Sequence, residues 1–109
     1  MTKDKVLELH AEVYKALANP KRLQILQCLI DGEKSVGEIL ACKQFLDTPQ
    51  PTVSQHLALL RQAGLVTVRR GGTNVFYKLG SPKLVRALEL TKEILTERLG
   101  ELQKIATQI

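Results

Sequence analysis

Tryptophan is absent from this 109-residue chain, and aromatic residues make up only 4% of it. A core without large rings has to be built from aliphatic side chains, and at this length that core is modest, so a second subunit would help to bury apolar surface. Only two cysteines occur, Cys28 and Cys42, and they form no CxxC pair. In a chain with no secretory segment that pattern predicts free thiols rather than a structural disulfide. No apolar run approaches the roughly 18–20 residues that a membrane span requires. The opening stretch MTKDKVLELHAEVYK also lacks the apolar centre of a signal peptide,. Together these predict a cytoplasmic chain with no membrane partner. The histidines, His10 and His56, are unconnected, and no glycine-rich phosphate loop is present. An enzyme needs a nucleophile or an acid/base set in a cleft, so an enzymatic function is not expected, and neither is a cofactor.

The most informative shortage is of acid. The chain has 11 acidic residues, yet none lies between Thr48 and Leu88. That window carries Arg61, Arg69, Arg70, Lys78, Lys83 and Arg86. Of the 16 lysines and arginines in the chain, the remaining ten face all 11 acids, so the excess positive charge sits in one contiguous segment. Segregation of this kind is the electrostatic footprint of a polyanion partner, although a solvated basic face would read the same way on charge alone.

The periodicity predicts a single domain over 1–109, mainly α with a small β-hairpin. Val6, Leu9, Val13 and Leu17 recur at helical steps, which gives a first helix over about Lys5 to Ala18,. Asn19 is a good N-cap and Pro20 suits a first helical turn, so a second helix starts there. Its apolar face is Leu23, Leu26 and Ile30, widened by Ile25 and Leu29, and Asp31–Gly32 closes it. Ser35 and Glu38 have the spacing of a capping box, which starts a short third helix with Ile39 and Leu40 as core contacts. That helix either runs on to Phe45 or gives way to a loop. Thr48 is the expected N-cap of a fourth helix over Pro49–Ala63, with Val53, Leu57 and Leu60 inward and Gly64 as the left-handed C-cap. Leu65–Arg70 and Asn74–Leu79, separated by Gly71-Gly72-Thr73, read as a hairpin.

A last helix starts at Ser81–Pro82 and runs towards the C-terminus. Leu84, Leu88, Leu95, Leu99, Leu102 and Ile109 step by 4, 7, 4, 3 and 7, the 3.5-residue repeat of a helix seam packed along a partner,. The alternative is a helix lying on its own core, but so small a domain has too little core to cover that length. The seam therefore points to a homodimer through the terminal helices, 1–18 and 81–109, with Val6, Leu9, Val13, Leu84, Leu88, Leu95, Leu99 and Leu102 at the interface. Glu89, Glu93, Glu97 and Glu101 recur every four residues on the same helix. They read as a solvated face, or else as a cation site or a strip facing basic residues of a second subunit.

A short helix, a connection and a polar-faced helix make a helix-turn-helix, and a basic hairpin straight after makes it winged, here over 35–79. The order α-α-α-α-β-β-α is that of a winged helix-turn-helix, whose second helix enters the major groove of double-stranded DNA. With Val53, Leu57 and Leu60 inward, the residues left for bases and phosphates are Gln50, Thr52, Ser54, Gln55 and Arg61. Carboxylates among them would repel the backbone, which accounts for the acid-free window. Arg69 and Arg70, with Thr73 and Asn74, are the expected wing contacts. His56 either donates to a phosphate or packs at the base of the wing.

The stretches ALANPKRLQIL, SVGEIL, QPTVSQHLALLRQAGLV and RRGGTNVFYKL resemble the ArsR-type (arsenic repressor family) winged-helix regulators, closely over about Val13 to Leu79 and in pattern only at the terminal helices. The resemblance implies a homodimeric transcriptional regulator that represses from a partly palindromic operator and is released by an inducer, which no residue set here identifies. It also implies a histidine at position 56 that contacts phosphate. One departure is the stretch ACKQFLDTPQ, about three residues longer than is usual, which lengthens the third helix or forms a loop near the DNA. The cysteine pair that archetypal members carry at the third helix is missing from SVGEIL, and no histidine lies on the last helix, so no metal site is expected. A redox branch uses one cysteine on the second helix and one on the last. Here Cys28 is on the second helix, where it reads as a buried small hydrophobe or a sensor, and the last helix has none. Cys42, with Lys43 beside it to lower its pKa, is the more reactive candidate and leaves a thiol-responsive repressor open. A winged-helix protein-interaction module is the other rival, because fold alone does not settle function.

Overall fold

The computed structural model describes residues 1–42 and 47–108. Helix α1 (Lys3–Leu17) starts two residues earlier than its apolar period predicts, because the Thr2 hydroxyl accepts the Lys5 N–H and caps it. Asn19 caps α2 (Pro20–Leu29) through its side-chain oxygen, which accepts from the N–H groups of Lys21 and Arg22. Both arms of the Ser35/Glu38 capping box are present at the start of α3 (Val36–Leu40). Helix α3 ends at Leu40, with Ala41 and Cys42 closing its last turn. The rest of the possible extension to Phe45, the Lys43 side chain and the last seam residue, Ile109, lie outside the described residues.

Lys34–Ser35 forms a strand, β1, that sequence periodicity did not reveal. It pairs with β3 (Asn74–Leu79), which pairs in turn with β2 (Val66–Gly71), so the expected hairpin is a three-stranded antiparallel sheet in the order β1-β3-β2. Two residues carry no period-2 signal, so β1 exists only because β3 offers it an edge. The hairpin closes at the Gly71–Asn74 pair, leaving the two-residue turn Gly72-Thr73. Gly72 has φ +61°, as the first position of a type II′ turn requires,.

The core is aliphatic. Ile25, Leu26 and Leu29 of α2 meet Ile39 of α3 and Val53, Leu57 and Leu60 of α4 (Gln50–Gln62), with Leu65 and Val66 beneath the sheet. Leu23, expected on the inward face of α2, is exposed, and Cys28 takes a buried place instead. Helix α5 (Lys83–Gln108) starts under the core, where the Ser81 hydroxyl accepts the Lys83 N–H. Leu84 and Leu88 are buried there in the chain's own core, which corrects their assignment to an intersubunit seam. Val13 is likewise packed against that core.

Beyond Leu88 the helix leaves its own domain. Every residue from Glu89 to Thr107 is exposed, including Ile94, Leu95, Leu99, Leu102 and Ile105. The radius of gyration is 16.6 Å, against about 13 Å for a compact chain of this length. The excess reflects a long helix that has no core of its own to lie on.

Candidate nucleic-acid interface

Helix α4 begins one residue later than expected. Pro49 is the N-cap, Pro51 lies in the first turn, and Thr48 makes no capping hydrogen bond, so the helix start carries no side-chain cap. The left-handed Gly64 (φ +78°) ends it as predicted. With Val53, Leu57 and Leu60 fully buried, Gln50, Ser54, Gln55 and Arg61 are exposed and Thr52 is half-buried. Helical spacing from Gln55 adds Ala58, Leu59 and Gln62 to the same outward surface. Together with Arg61 and Tyr77 of β3 they line an open groove of about 750 Å³ between α4 and the wing. Ala58, Leu59, Gln62 and Tyr77 were missed in the sequence, although the three- and four-residue steps from Gln55 would have found the three on the helix.

The two wing arginines part company. Along a strand, neighbours point to opposite faces. Arg69 pairs across the sheet with Phe76 and Arg70 with Val75. The Arg69 guanidinium stacks over the Phe76 ring at 4.6 Å. It also donates two hydrogen bonds to Glu33, Nε to Oε2 at 3.1 Å and Nη2 to Oε1 at 2.6 Å. The hydrogen bonds from Arg69, followed by its charge, hold the Glu33 carboxyl below the usual carboxylate range. Arg69 is thus occupied by an acid from outside the acid-free window. Arg70 is exposed and makes no ion pair among the described residues, and Thr73 and Asn74 are exposed at the tip.

His56 is not at the base of the wing. It is half-buried where α4 meets α1 and α2, with Nδ1 3.4 Å from Nη1 of Arg22. The same guanidinium donates to two carbonyl oxygens at the end of α1, Ala16 at 2.7 Å and Lys15 at 3.2 Å. An arginine has only donors to offer, so Nδ1 is the acceptor and the ring is held neutral. Burial, then the charges of Arg22 and Lys21, hold the His56 pKa below its ordinary value. Arg22 thereby ties the end of α1 to α4.

Comparison with known proteins agrees with this geometry. Residues 17–69 match the family described as a helix-turn-helix domain. The uncharacterized HTH-type transcriptional regulator Rv0081 of Mycobacterium tuberculosis is 34% identical over 101 residues, 93% of this chain and 87% of that protein. Its crystal structure superposes with a TM-score of 0.79 at 33% identity, covering 88% of this chain and 94% of that one. The biofilm growth-associated repressor of Agrobacterium fabrum is 46% identical over 79 residues, 72% of this chain and 65% of that protein. The transcriptional activator HlyU of Vibrio cholerae is 47% identical over 76 residues, 70% of this chain and 68% of that protein. The homodimeric winged helix-turn-helix domain of Mb0332 from Mycobacterium bovis, a possible ArsR-family regulator, has a TM-score of 0.78 at 34% identity and covers 93% of both chains. The chain belongs to the ArsR-type family of winged helix-turn-helix transcriptional regulators. It is a DNA-binding regulator of transcription.

Proposed function

We propose that the chain acts in the cytoplasm as a homodimer and represses transcription by occupying a partly palindromic operator. The observation that carries the reading is the outward surface of α4, which presents amides, hydroxyls and a guanidinium without one carboxylate. Gln50, Thr52, Ser54 and Gln55 read base edges, while Arg61 and the free wing arginine, Arg70, meet phosphates with Thr73 and Asn74. Arg69 is not counted among them, because Glu33 holds it. His56 keeps the helix in place from behind.

Assembly rests on the uncovered apolar faces. Val6 and Leu9 on α1 and Leu95, Leu99 and Leu102 on α5 are each 44–54% exposed. A fully buried Leu contributes roughly 1.5–3 kcal/mol, so several per subunit suffice to hold two copies together. Two recognition helices related by a two-fold axis read half-sites about 34–36 Å apart or a multiple of that. Repression is the simpler outcome for a small protein seated over a promoter, as the name of the Agrobacterium relative states for that protein. In vitro transcription from a promoter recovered by pull-down tests it: added protein should lower the transcript, and a rise would make this chain an activator instead. Replacing both Leu95 and Leu99 by Asp should yield monomers with lost operator affinity. A monomeric variant that still binds at full strength would sink the dimer.

A further inference from the structure

One cation of the wing is already bound within the chain. Arg69 of β2 reaches across the middle strand, β3, to Glu33, which stands one residue before β1. Its guanidinium lies 4.6 Å from the centre of the Phe76 ring on β3. Both carboxylate oxygens of Glu33 accept from it, Oε2 from Nε at 3.1 Å and Oε1 from Nη2 at 2.6 Å. This two-bonded fork is the one that an arginine also offers to a phosphate. Gly71 makes room for it. Unlike Gly72, Gly71 has no left-handed backbone angle, so the turn does not demand a glycine there. A Cβ at position 71 would stand 2.9 Å from Nη1 of Arg69 and 3.1 Å from Cε2 of Phe76. Exposed ion pairs attract only weakly, but the fork and the stacked ring set this one apart. Arg70, the next residue, has no ion pair among the described residues.

We propose that Glu33 occupies the place on Arg69 that a DNA phosphate would take, and so withholds one cation of the wing from the sequence-independent part of binding. Glu33 is a positioning residue, since it acts through Arg69 and touches no DNA itself. The clamp also has a mechanical side. Strand β1 pairs with β3 over two residues only, Lys34 with Tyr77 and Ser35 with Phe76. Ser35 is at the same time the N-cap of α3. The ion pair therefore adds a side-chain tie between the hairpin and the start of the helix-turn-helix. Breaking it has the opposite effect from losing an ordinary contact, because binding becomes stronger. A released Arg69 gains a phosphate and displaces about one more counterion from the duplex. A phosphate contact carries no base information, so the gain falls on every duplex alike. This consequence, unlike the ion pair itself, rests on the DNA-binding reading.

The test titrates a random-sequence duplex against salt with the full chain, as wild type, Glu33→Ala, Arg69→Ala and the double variant. Glu33→Ala should steepen the slope of log affinity against log salt by about one unit and tighten binding about tenfold at roughly 50 mM salt. The double variant should lose both gains. An unchanged slope in Glu33→Ala would overturn the proposal, because Arg69 then gains no phosphate. An equal gain with and without Arg69 would overturn it as well, because the loss of one negative charge would then be the whole effect. If Glu33→Ala does not fold, Glu33→Gln carries the same comparison. The ion pair is judged without DNA by NMR of the Arg69 Nε–H, identified by its loss in Arg69→Ala. That proton should exchange more slowly than its Arg70 counterpart in the wild type, and as fast once Glu33 is replaced. Equal exchange in the wild type would overturn the clamp. A wild type that binds no duplex would sink the DNA-binding reading and the withholding with it, while the exchange rates still judge the pair.

Discussion

From Pro20 to Leu79 each described helix finds a core within the same chain, whereas α5 from Glu89 to Thr107 finds none. Val53, Leu57 and Leu60 in α4 are fully buried, while Leu95, Leu99 and Leu102 on α5 stand at about half exposure. The residue types and the helical spacing are the same in both places. What differs is whether another element lies opposite, so burial in the arm has to come from a second molecule. Arg69 and Arg70 make a similar contrast on a smaller scale. They are adjacent and identical in type, but one is closed into an ion pair and the other is left for a partner.

The largest expected effect separates core from arm. Leu57→Ala should cost on the order of 2–5 kcal/mol at any protein concentration. Leu99→Ala should act through assembly, so the wild-type Tm should rise with concentration and the variant Tm should depend on it less. Thermal melts over a hundredfold concentration range check this, and a wild-type Tm that ignores concentration would erase the distinction.

Gln55→Ala should cost on the order of 1–3 kcal/mol on the operator and little on random duplex. Equal losses on both would remove Gln55 from base reading.

The paired arginines predict a smaller difference. Arg70→Ala should lower the slope of log affinity against log salt by about one unit, and Arg69→Ala should leave it nearly unchanged. The outcome to look for in a salt titration is the order of the two slopes, and the reverse order would mean that Glu33 releases Arg69 on DNA.

The smallest effect comes from His56. Its pKa in the fold lies below the ordinary 6.5, so the unfolded chain binds that proton more tightly. The associated stability is complete above the ordinary value and is lost as pH falls below it. The carboxyls of Glu33 and Glu38, lowered from 4.5, act only in a more acidic window. Melts between pH 7.5 and 5.5 should therefore show a modest decline in the wild type and a flatter profile in His56→Gln. Identical profiles would mean that the contact of His56 with Arg22 contributes nothing to stability.

Local signals carried most of the architecture. The Asn19–Pro20 start, the Ser35/Glu38 box, the Gly64 cap and the hairpin around Gly72 each depend on residues within one turn, and all stand in the structure. What escaped depends on residues far apart in sequence. Arg69 and Glu33 are separated by 36 positions and Arg22 and His56 by 34, so no periodicity reveals either pair. The seam through Leu84, Leu88, Leu95 and Leu99 is uniform in sequence, yet it divides because the core reaches only as far as Leu88. Thr48 lost its capping role to Pro49 one residue on, a shift within the ordinary uncertainty of helix ends.

The most direct measurement is the stoichiometry and salt dependence of the complex with a pulled-down duplex, by light scattering and titration on the same sample. The account predicts two chains per duplex and an affinity that falls steeply with salt. One chain per duplex at saturation, or an affinity indifferent to salt, would contradict it.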